Sequence, residues 1–221
     1  MINFSNVHKS FWTPSGQQVV AKGITAQFPP GVSVALLGRN GAGKSSLMEM
    51  IGGTMKPDQG EIEISGSVSW PVGFKGSFHR DLTGLQNTRF IARVYGVDTD
   101  DLVGFVEDFA ELGSHFHLPV RNYSSGMKSR LAFGISIGIP FDTYLVDEVT
   151  AVGDGAFKQK SRLVFKERLK TAGAVVVTHY MSQVRQLCQA GAVLEGGLLT
   201  YYDDLEEAIE HHLANLGDAD E

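Results

Sequence analysis

An α/β fold is predicted, with a mostly parallel sheet and a small antiparallel layer added at its start. Three observations carry this expectation. The short apolar segments Val32–Leu37, Thr143–Val146 and Ala174–Thr178 alternate with segments of helix length, and buried strands that alternate with helices build a parallel sheet. The first of them runs into a glycine-rich loop and then a helix. Ahead of it, Met1–His8 and Val19–Phe28 carry β-branched and aromatic residues around the turn Pro14-Ser15-Gly16, which gives two more strands.

Taken in order, Pro29-Pro30-Gly31 makes a turn before the strand Val32–Leu37. The helix after the glycine-rich loop runs from about Lys44 to Ile51 and stops at Gly52-Gly53. Pro57-Asp58-Gln59-Gly60 is a turn, and Glu61–Ile64 alternates like a strand with one wet face. Thr83 and Gln86 have capping-box spacing and open a helix to about Tyr95. Helices follow over Asp100–Leu112, Ser124–Ile137 and Phe157–Lys170, with the strand Thr143–Val146 between the last two. After Ala174–Thr178 come a helix over Val184–Gln189, a hairpin of Ala192–Leu194 and Leu198–Tyr201 around Gly196-Gly197, and an acidic closing helix. No repeat, coiled coil or low-complexity tract is visible.

The 221 residues can bury a substantial core as one domain. Hydrophobic residues at 43% and charged residues at 20% fit a soluble globular protein. A net charge of −6 argues against a protein that coats nucleic acid, which would carry a basic stripe. Cys188 is the only cysteine, so no intrachain disulfide forms, and it reads as a buried small apolar side chain. The start of the chain lacks the pattern of a signal peptide. The longest weakly polar run, Leu131–Phe141, is too short to span a bilayer and contains Pro140. Any membrane role must therefore come through a partner. His115 and His117 have no further ligands near them in sequence and read as a solvated loop.

The segment Gly38-Arg39-Asn40-Gly41-Ala42-Gly43-Lys44-Ser45, continued by Ser46, matches the phosphate-binding P-loop in full. Glycines let successive backbone N–H groups curl around one anion, and the following helix adds its positive end. Lys44 then reaches the outer phosphates and the Ser45 hydroxyl binds Mg²⁺. A P-loop does not choose between kinase, GTPase, helicase and transporter motor. Tyr144-Leu145-Val146-Asp147-Glu148 supplies the second acidic site such enzymes need, an apolar strand that ends in two carboxylates. Asp147 is placed to hold Mg²⁺ through water, and Glu148 to orient or deprotonate the attacking water.

With these motifs in place, Tyr123-Ser124-Ser125-Gly126-Met127-Lys128 resembles the signature of the ABC (ATP-binding cassette) ATPases, usually read Leu-Ser-Gly-Gly-Gln. Ser124 and Gly126 match, while Tyr123, Ser125 and Met127 depart. The serine hydroxyl and the N–H groups of a helix N-terminus still suit a γ-phosphate. Val177-Thr178-His179 resembles the strand end with the switch histidine, and Ala151-Val152-Gly153-Asp154 the loop after the catalytic carboxylate. Asp154 is equally able to cap the next helix. Lys9-Ser10-Phe11-Trp12 sits where the family stacks an aromatic on adenine, with Phe11 the first choice and Trp12 the second. A kinase should lack the Ser124–Gly126 element, and a GTPase should carry an Asn-Lys-x-Asp motif, which this chain has not.

More narrowly, Leu37–Ser45, Ser69-Trp70-Pro71-Val72-Gly73-Phe74 and Tyr123–Arg130 resemble the ATPase of capsular polysaccharide exporters. Leu82–Asn87 is similar too, although Leu85 and Gln86 stand where relatives carry Arg and Glu. The resemblance implies a P-loop NTPase (RecA-like) core in a single nucleotide-binding domain over 1–221, with a helical subdomain at about 82–137. It implies ATP and Mg²⁺ as cofactors, and a head-to-tail homodimer with ATP between the P-loop of one chain and Ser124/Gly126 of the other. It also implies a separate membrane-spanning permease, no nucleic acid partner, and a peripheral place on the cytoplasmic face of the bacterial inner membrane. O-antigen or teichoic-acid-type export, or a non-transport ABC role, are the alternatives. The roughly forty residues after His179 are too few for the extra sugar-binding domain of many O-antigen exporters, which favours the capsular type. One departure matters for the metal. The family's glutamine that ligates Mg²⁺ should fall near Gly73 or Phe74, yet no Gln lies between Gln59 and Gln86. The loop Trp70–Arg80, with Trp70, Phe74 and Phe78, is then left as a surface for the permease.

Overall fold

The computed structural model describes residues 1–14, 16–74, 76, 78–147 and 155–217. They form two compact units. The first takes Met1–Ser69, the segment from Phe141, and the chain from Leu169 onward; the second takes Trp70–Pro140 and the helix at Gly155–Arg168.

In the first unit, β1 (Ile2–Thr13) lies between β2 (Gly16–Phe28) and β4 (Gln59–Ile64) in an antiparallel sheet. The second sheet has six strands in the order β5-β6-β7-β3-β8-β9. Their ranges are β3 Ser33–Leu37, β5 Val68–Pro71, β6 Thr143–Asp147, β7 Gly173–Val177, β8 Ala190–Glu195 and β9 Leu198–Tyr202. β3 pairs in parallel with β7 and β8, β6 in parallel with β7, and β9 runs antiparallel to β8. Every residue of β3 and β7 is buried, which explains why these strands read as unbroken apolar runs rather than alternations.

The inner faces of the two sheets share one core. Phe4 and Phe28 meet edge to face at 5.1 Å between ring centroids, and α1 (Lys44–Ile51) drives Leu47, Met48, Met50 and Ile51 into the same cluster. The last helix of the unit, α7 (Leu205–Gly217), lies on β8 with its backbone close by: a Cβ added at Gly191 would come within 2.3 Å of Ala208 Cβ.

The second unit is helical. α2 (Gly84–Tyr95) opens on the capping box expected of Thr83 and Gln86, with Gln86 N–H donating to Thr83 Oγ1 at 3.0 Å and Thr83 N–H to Gln86 Oε1 at 2.9 Å. α3 (Thr99–Ala110) packs on α4 (Ser125–Gly138), which is buried on nearly all sides from Leu131 to Ile137. Small residues permit the approach: a Cβ at Gly134 would sit 3.2 Å from Phe109, and one at Gly138 2.4 Å from Leu102. Phe109 also packs against Phe133 and against Phe157 of α5 (Gly155–Arg168).

Several sequence expectations need correction. β1 continues through Lys9-Ser10-Phe11-Trp12 to Thr13, because pairing with β2 carries the strand past the polar residues that ended it in the pattern. β5 was not expected, and its Trp70 and Pro71 shorten the supposed loop to Val72–Arg80. Ser69 ties it to β6, its buried hydroxyl accepting the Leu145 N–H at 2.9 Å. The helix expected at Val184–Gln189 is α6, Met181–Leu187. His115 and His117 belong to a 3-10 turn, Gly113–His117, rather than a loop. His117 stands 3.6 Å from Glu107, and no metal-binding cluster occurs among the described residues.

Gly191→Ala tests the packing of α7. The added methyl meets Ala208, and such overpacking costs about 1–3 kcal/mol, read as a fall in the urea midpoint. Adding Ala208→Gly should return part of that loss, even though glycine weakens a helix by roughly 0.5–1 kcal/mol. Strictly additive losses would place the strain elsewhere.

Candidate functional site

The glycine-rich loop leaves β3 at its C-terminal end, in the middle of the parallel sheet. Gly38 has φ 152°, and a Cβ there would lie 2.4 Å from the Leu194 carbonyl oxygen of β8. Gly41 has φ 81° with open space around it, so its constraint is conformational. Gly43, at the N-cap of α1, has φ 104°, and a Cβ would strike Val20 Cγ1 at 2.4 Å. The loop is thus wedged between β8 and β2 at points where no side chain fits. Ala42 N–H closes it by donating to the Arg39 carbonyl at 3.1 Å. No side chain caps α1, so nothing local competes with an anion for the donors of its first turn.

Around this loop is a cavity of about 440 Å³. Asn40, Gly41, Gly43, Lys44, Ser45, Ser46, Asp147, His179 and Phe11 line it together with Gln18, Val20 and Val177. Gly38, Arg39 and Ala42 contribute to the loop's backbone rather than to the lining. The chain thus brings together, in one concavity, residues up to 168 positions apart in sequence, from Phe11 to His179. Trp12 is 82% exposed and outside the cavity, so of the two aromatic candidates only Phe11 faces it. Strand alternation explains the difference, because neighbouring side chains point to opposite faces. Glu148 and Asp154 lie outside the described residues.

Lys44 Nζ donates to the carbonyl oxygens of Gly38 at 2.7 Å and Arg39 at 2.9 Å. The ammonium is therefore held at the centre of its own loop. Its charge reaches the C-terminal helix: burial first, then the positive charge of Lys44, pushes the His212 imidazole below its ordinary pKa, against the opposing pull of Glu195. Ser45 and Asp147 offer a hydroxyl and a carboxylate on the same cavity, which is the hard-oxygen donor set that Mg²⁺ takes.

Sequence reasoning missed Gln18 and Val20. Gln18 pairs directly with Phe11 across β1 and β2, and its amide donates to the Gly41 carbonyl at 3.3 Å. The signal was present in the alternation of β2, where Gln18 and Val20 share a face.

The second unit holds the other predicted phosphate element. Ser124 is the N-cap of α4, and its Oγ accepts the Met127 N–H at 3.2 Å. Tyr123 is buried, and its hydroxyl donates to the His115 carbonyl at 2.7 Å. A leucine at that position would supply no such bond. Ser124 and Ser125 are exposed, and a Cβ at Gly126 would meet only Ser124 Oγ, at 3.8 Å.

The chain resembles known proteins over most of its length. Residues 21–151 match the model of the family described as "ABC transporter". The chain is 44% identical to the polysialic acid transport ATP-binding protein KpsT of Escherichia coli, over 96% of both chains. It is 42% identical to the capsule polysaccharide export ATP-binding protein CtrD of Neisseria meningitidis serogroup B, over 96% of this chain and 98% of that one. Among solved structures, the dimeric post-hydrolysis state of the ATP-binding cassette MJ0796 bound to ADP and Pi superposes with a TM-score of 0.75. It is 21% identical and covers 93% of this chain and 99% of its own.

Lys44→Ala removes the ammonium at the centre of the loop. Calorimetric titration with ATP should show affinity falling roughly ten- to a hundredfold, the worth of a charge-assisted hydrogen bond. Unchanged affinity would sink the assignment of the loop.

Proposed function

We propose that this chain, which belongs to the ABC transporter family, is the ATP-hydrolysing subunit of an exporter of capsular polysaccharide. The observation that carries the proposal is the single cavity shared by the glycine loop, Lys44, Ser45, Asp147 and His179. The polymer follows from the capsule-export relatives, which match this chain over nearly its full length.

In this reading Phe11 stacks on the adenine, and the loop N–H groups with Lys44 hold the outer phosphates. Ser45 and Asp147 would hold Mg²⁺, which neutralises charge on the phosphates as the terminal bond breaks. No Gln stands between Gln59 and Gln86. Ser45 and Asp147 would then hold the ion without a glutamine, and water would complete its shell, which suits an ion that dehydrates reluctantly. Glu148 orients the attacking water and takes its proton, and His179 contacts the γ-phosphate. Asp154 belongs to the loop that links the two sites of a dimer.

One chain leaves the γ-phosphate open to bulk water. A second copy, head to tail, brings Ser124, Ser125 and Gly126 to it and excludes that water. ATP closes the pair and hydrolysis opens it. No described helix is long and apolar enough to cross a membrane, so a separate permease turns that motion into export. The chain then works on the cytoplasmic face of the inner membrane as a single cassette, and nucleic acid has no part in the cycle. Phe74 is 53% exposed, which favours the segment Val72–Arg80 as a permease surface.

Glu148→Gln keeps shape and removes the base. Turnover should fall by at least about a hundredfold, with ATP still bound and a dimer held. Light scattering at high protein concentration checks this, and a monomer with ATP demonstrably bound counts against the sandwich. Gly126→Asp places a carboxylate in open space on α4, so the fold should survive. Binding of ATP to the chain's own loop should persist while ATP-driven dimerisation is lost; collapse of ATP binding as well would give Gly126 a structural role.

A further inference from the structure

Phe11 reaches the cavity from the far part of β1, where the ladder is irregular. The register of β1 against β2 slips between Lys9 and Ser10, and β1 leaves its ladder with β4 after His8 pairs with Gln59. A slip of this kind leaves backbone donors without ladder partners. Asp58, in the turn before β4, takes part of that ladder's place. Its Oδ2 accepts the Ser10 N–H at 2.8 Å, and its own N–H donates to the His8 carbonyl at 2.8 Å.

The same carboxylate holds a cation. Lys9 Nζ donates to Asp58 Oδ1 at 2.8 Å and to the Lys56 carbonyl at 3.0 Å. The Lys9 side chain retains only 14% of its exposure. Its ammonium stands over the Phe11 ring, 5.4 Å from the centroid. Lys9 is not among the cavity's lining residues, whereas Phe11 is. One face of the ring is therefore taken by a cation on the protein side. The Asp58 carboxyl is held below the usual carboxylate range, first by the hydrogen bond from Lys9 and then by the one from Ser10.

We propose that Lys9 and Asp58 are positioning residues for the nucleobase: together they fix the strand turn that carries Phe11 and cover one ring face, so that the base stacks on the other. The inference rests on the nucleotide reading above and adds residues to it. The physics has two parts. A ring clamped on one face loses little freedom when a base covers the other. A cation on the rear face also draws π density away from the front, which lowers repulsion against the electron-rich face of a purine. Asp58 supplies the pair and the backbone anchor at once.

The test separates base from phosphate. The full chain is titrated calorimetrically with ATP and with inorganic tripolyphosphate, which has the charges and no base. Lys9→Met and Asp58→Asn should each weaken ATP by roughly fivefold, the lower end of a base-stacking contact, and leave tripolyphosphate affinity unchanged. Lys9→Arg keeps the cation and should retain ATP affinity. In a Phe11→Ala background Asp58→Asn should cost nothing further for ATP. In turnover, KM for ATP should rise while kcat holds. Equal weakening of both ligands, or no weakening of ATP, would overturn the proposal. Failure of the nucleotide reading is visible separately and overturns the proposal with it: the unsubstituted chain would then bind ATP no more tightly than tripolyphosphate.

Discussion

A peptide loop can enclose an anion only if its backbone turns through conformations that side chains forbid. Gly38 and Gly43 meet that constraint and add a second, because each also touches a neighbouring strand where a Cβ would collide. The contact of Gly38 with Leu194 ties the loop to the parallel sheet, and that of Gly43 with Val20 ties it to the antiparallel one. The loop is therefore fixed by both layers of the first unit. This explains why the antiparallel strands matter to the site: they supply Val20, Gln18 and Phe11 to the cavity, and they form one wall against which the loop is held.

Lys44 shows how the loop is kept ready for a ligand. Its two carbonyl partners are neutral dipoles with partial negative charge. In the reading proposed above, a phosphate oxygen carries a larger charge and displaces them, since charge-assisted hydrogen bonds are the stronger kind. Until then the carbonyls hold the ammonium close to where it is needed, so little side-chain freedom remains to be lost on binding.

Much of this was legible in the sequence, for a physical reason. The P-loop is a local device: the residues that make it are contiguous, and their types are dictated by backbone geometry. The buried strands β3, β6 and β7 were equally plain as apolar runs ending in Asp147 and near His179. What the sequence hid was tertiary. β5 is four residues long, and its buried Ser69 bonds to β6 across the sheet, which no apolar run announces. The continuation of β1 to Thr13 depends on a partner strand and on Asp58, a residue nearly fifty positions away. Phe11 was already the first choice over Trp12; the register adds the reason that only Phe11 lines the cavity, because one step along a strand reverses the face. The 3-10 turn at His115 exists in a segment whose carbonyl anchors Tyr123, and no local pattern announces such a bond.

Local and tertiary demands meet in the segment Tyr123–Gly126. Ser124 acts as a helix cap, which is the ordinary reason for a serine at that position. A capping role does not exclude a phosphate. The hydroxyl uses a lone pair to accept the Met127 N–H and keeps its proton to donate outward. The cap also fixes the first turn of α4, so the N–H groups there are already aligned. Tyr123 adds an anchor on the buried side, and Gly126 leaves the outer side bare. α4 itself is buried almost throughout and rigidly packed on α3 through Gly134 and Gly138. Burial of the rest of the helix holds its N-terminal end rigidly in place. The bonds that stabilise the start of α4 are also the bonds that orient the N–H groups of its first turn.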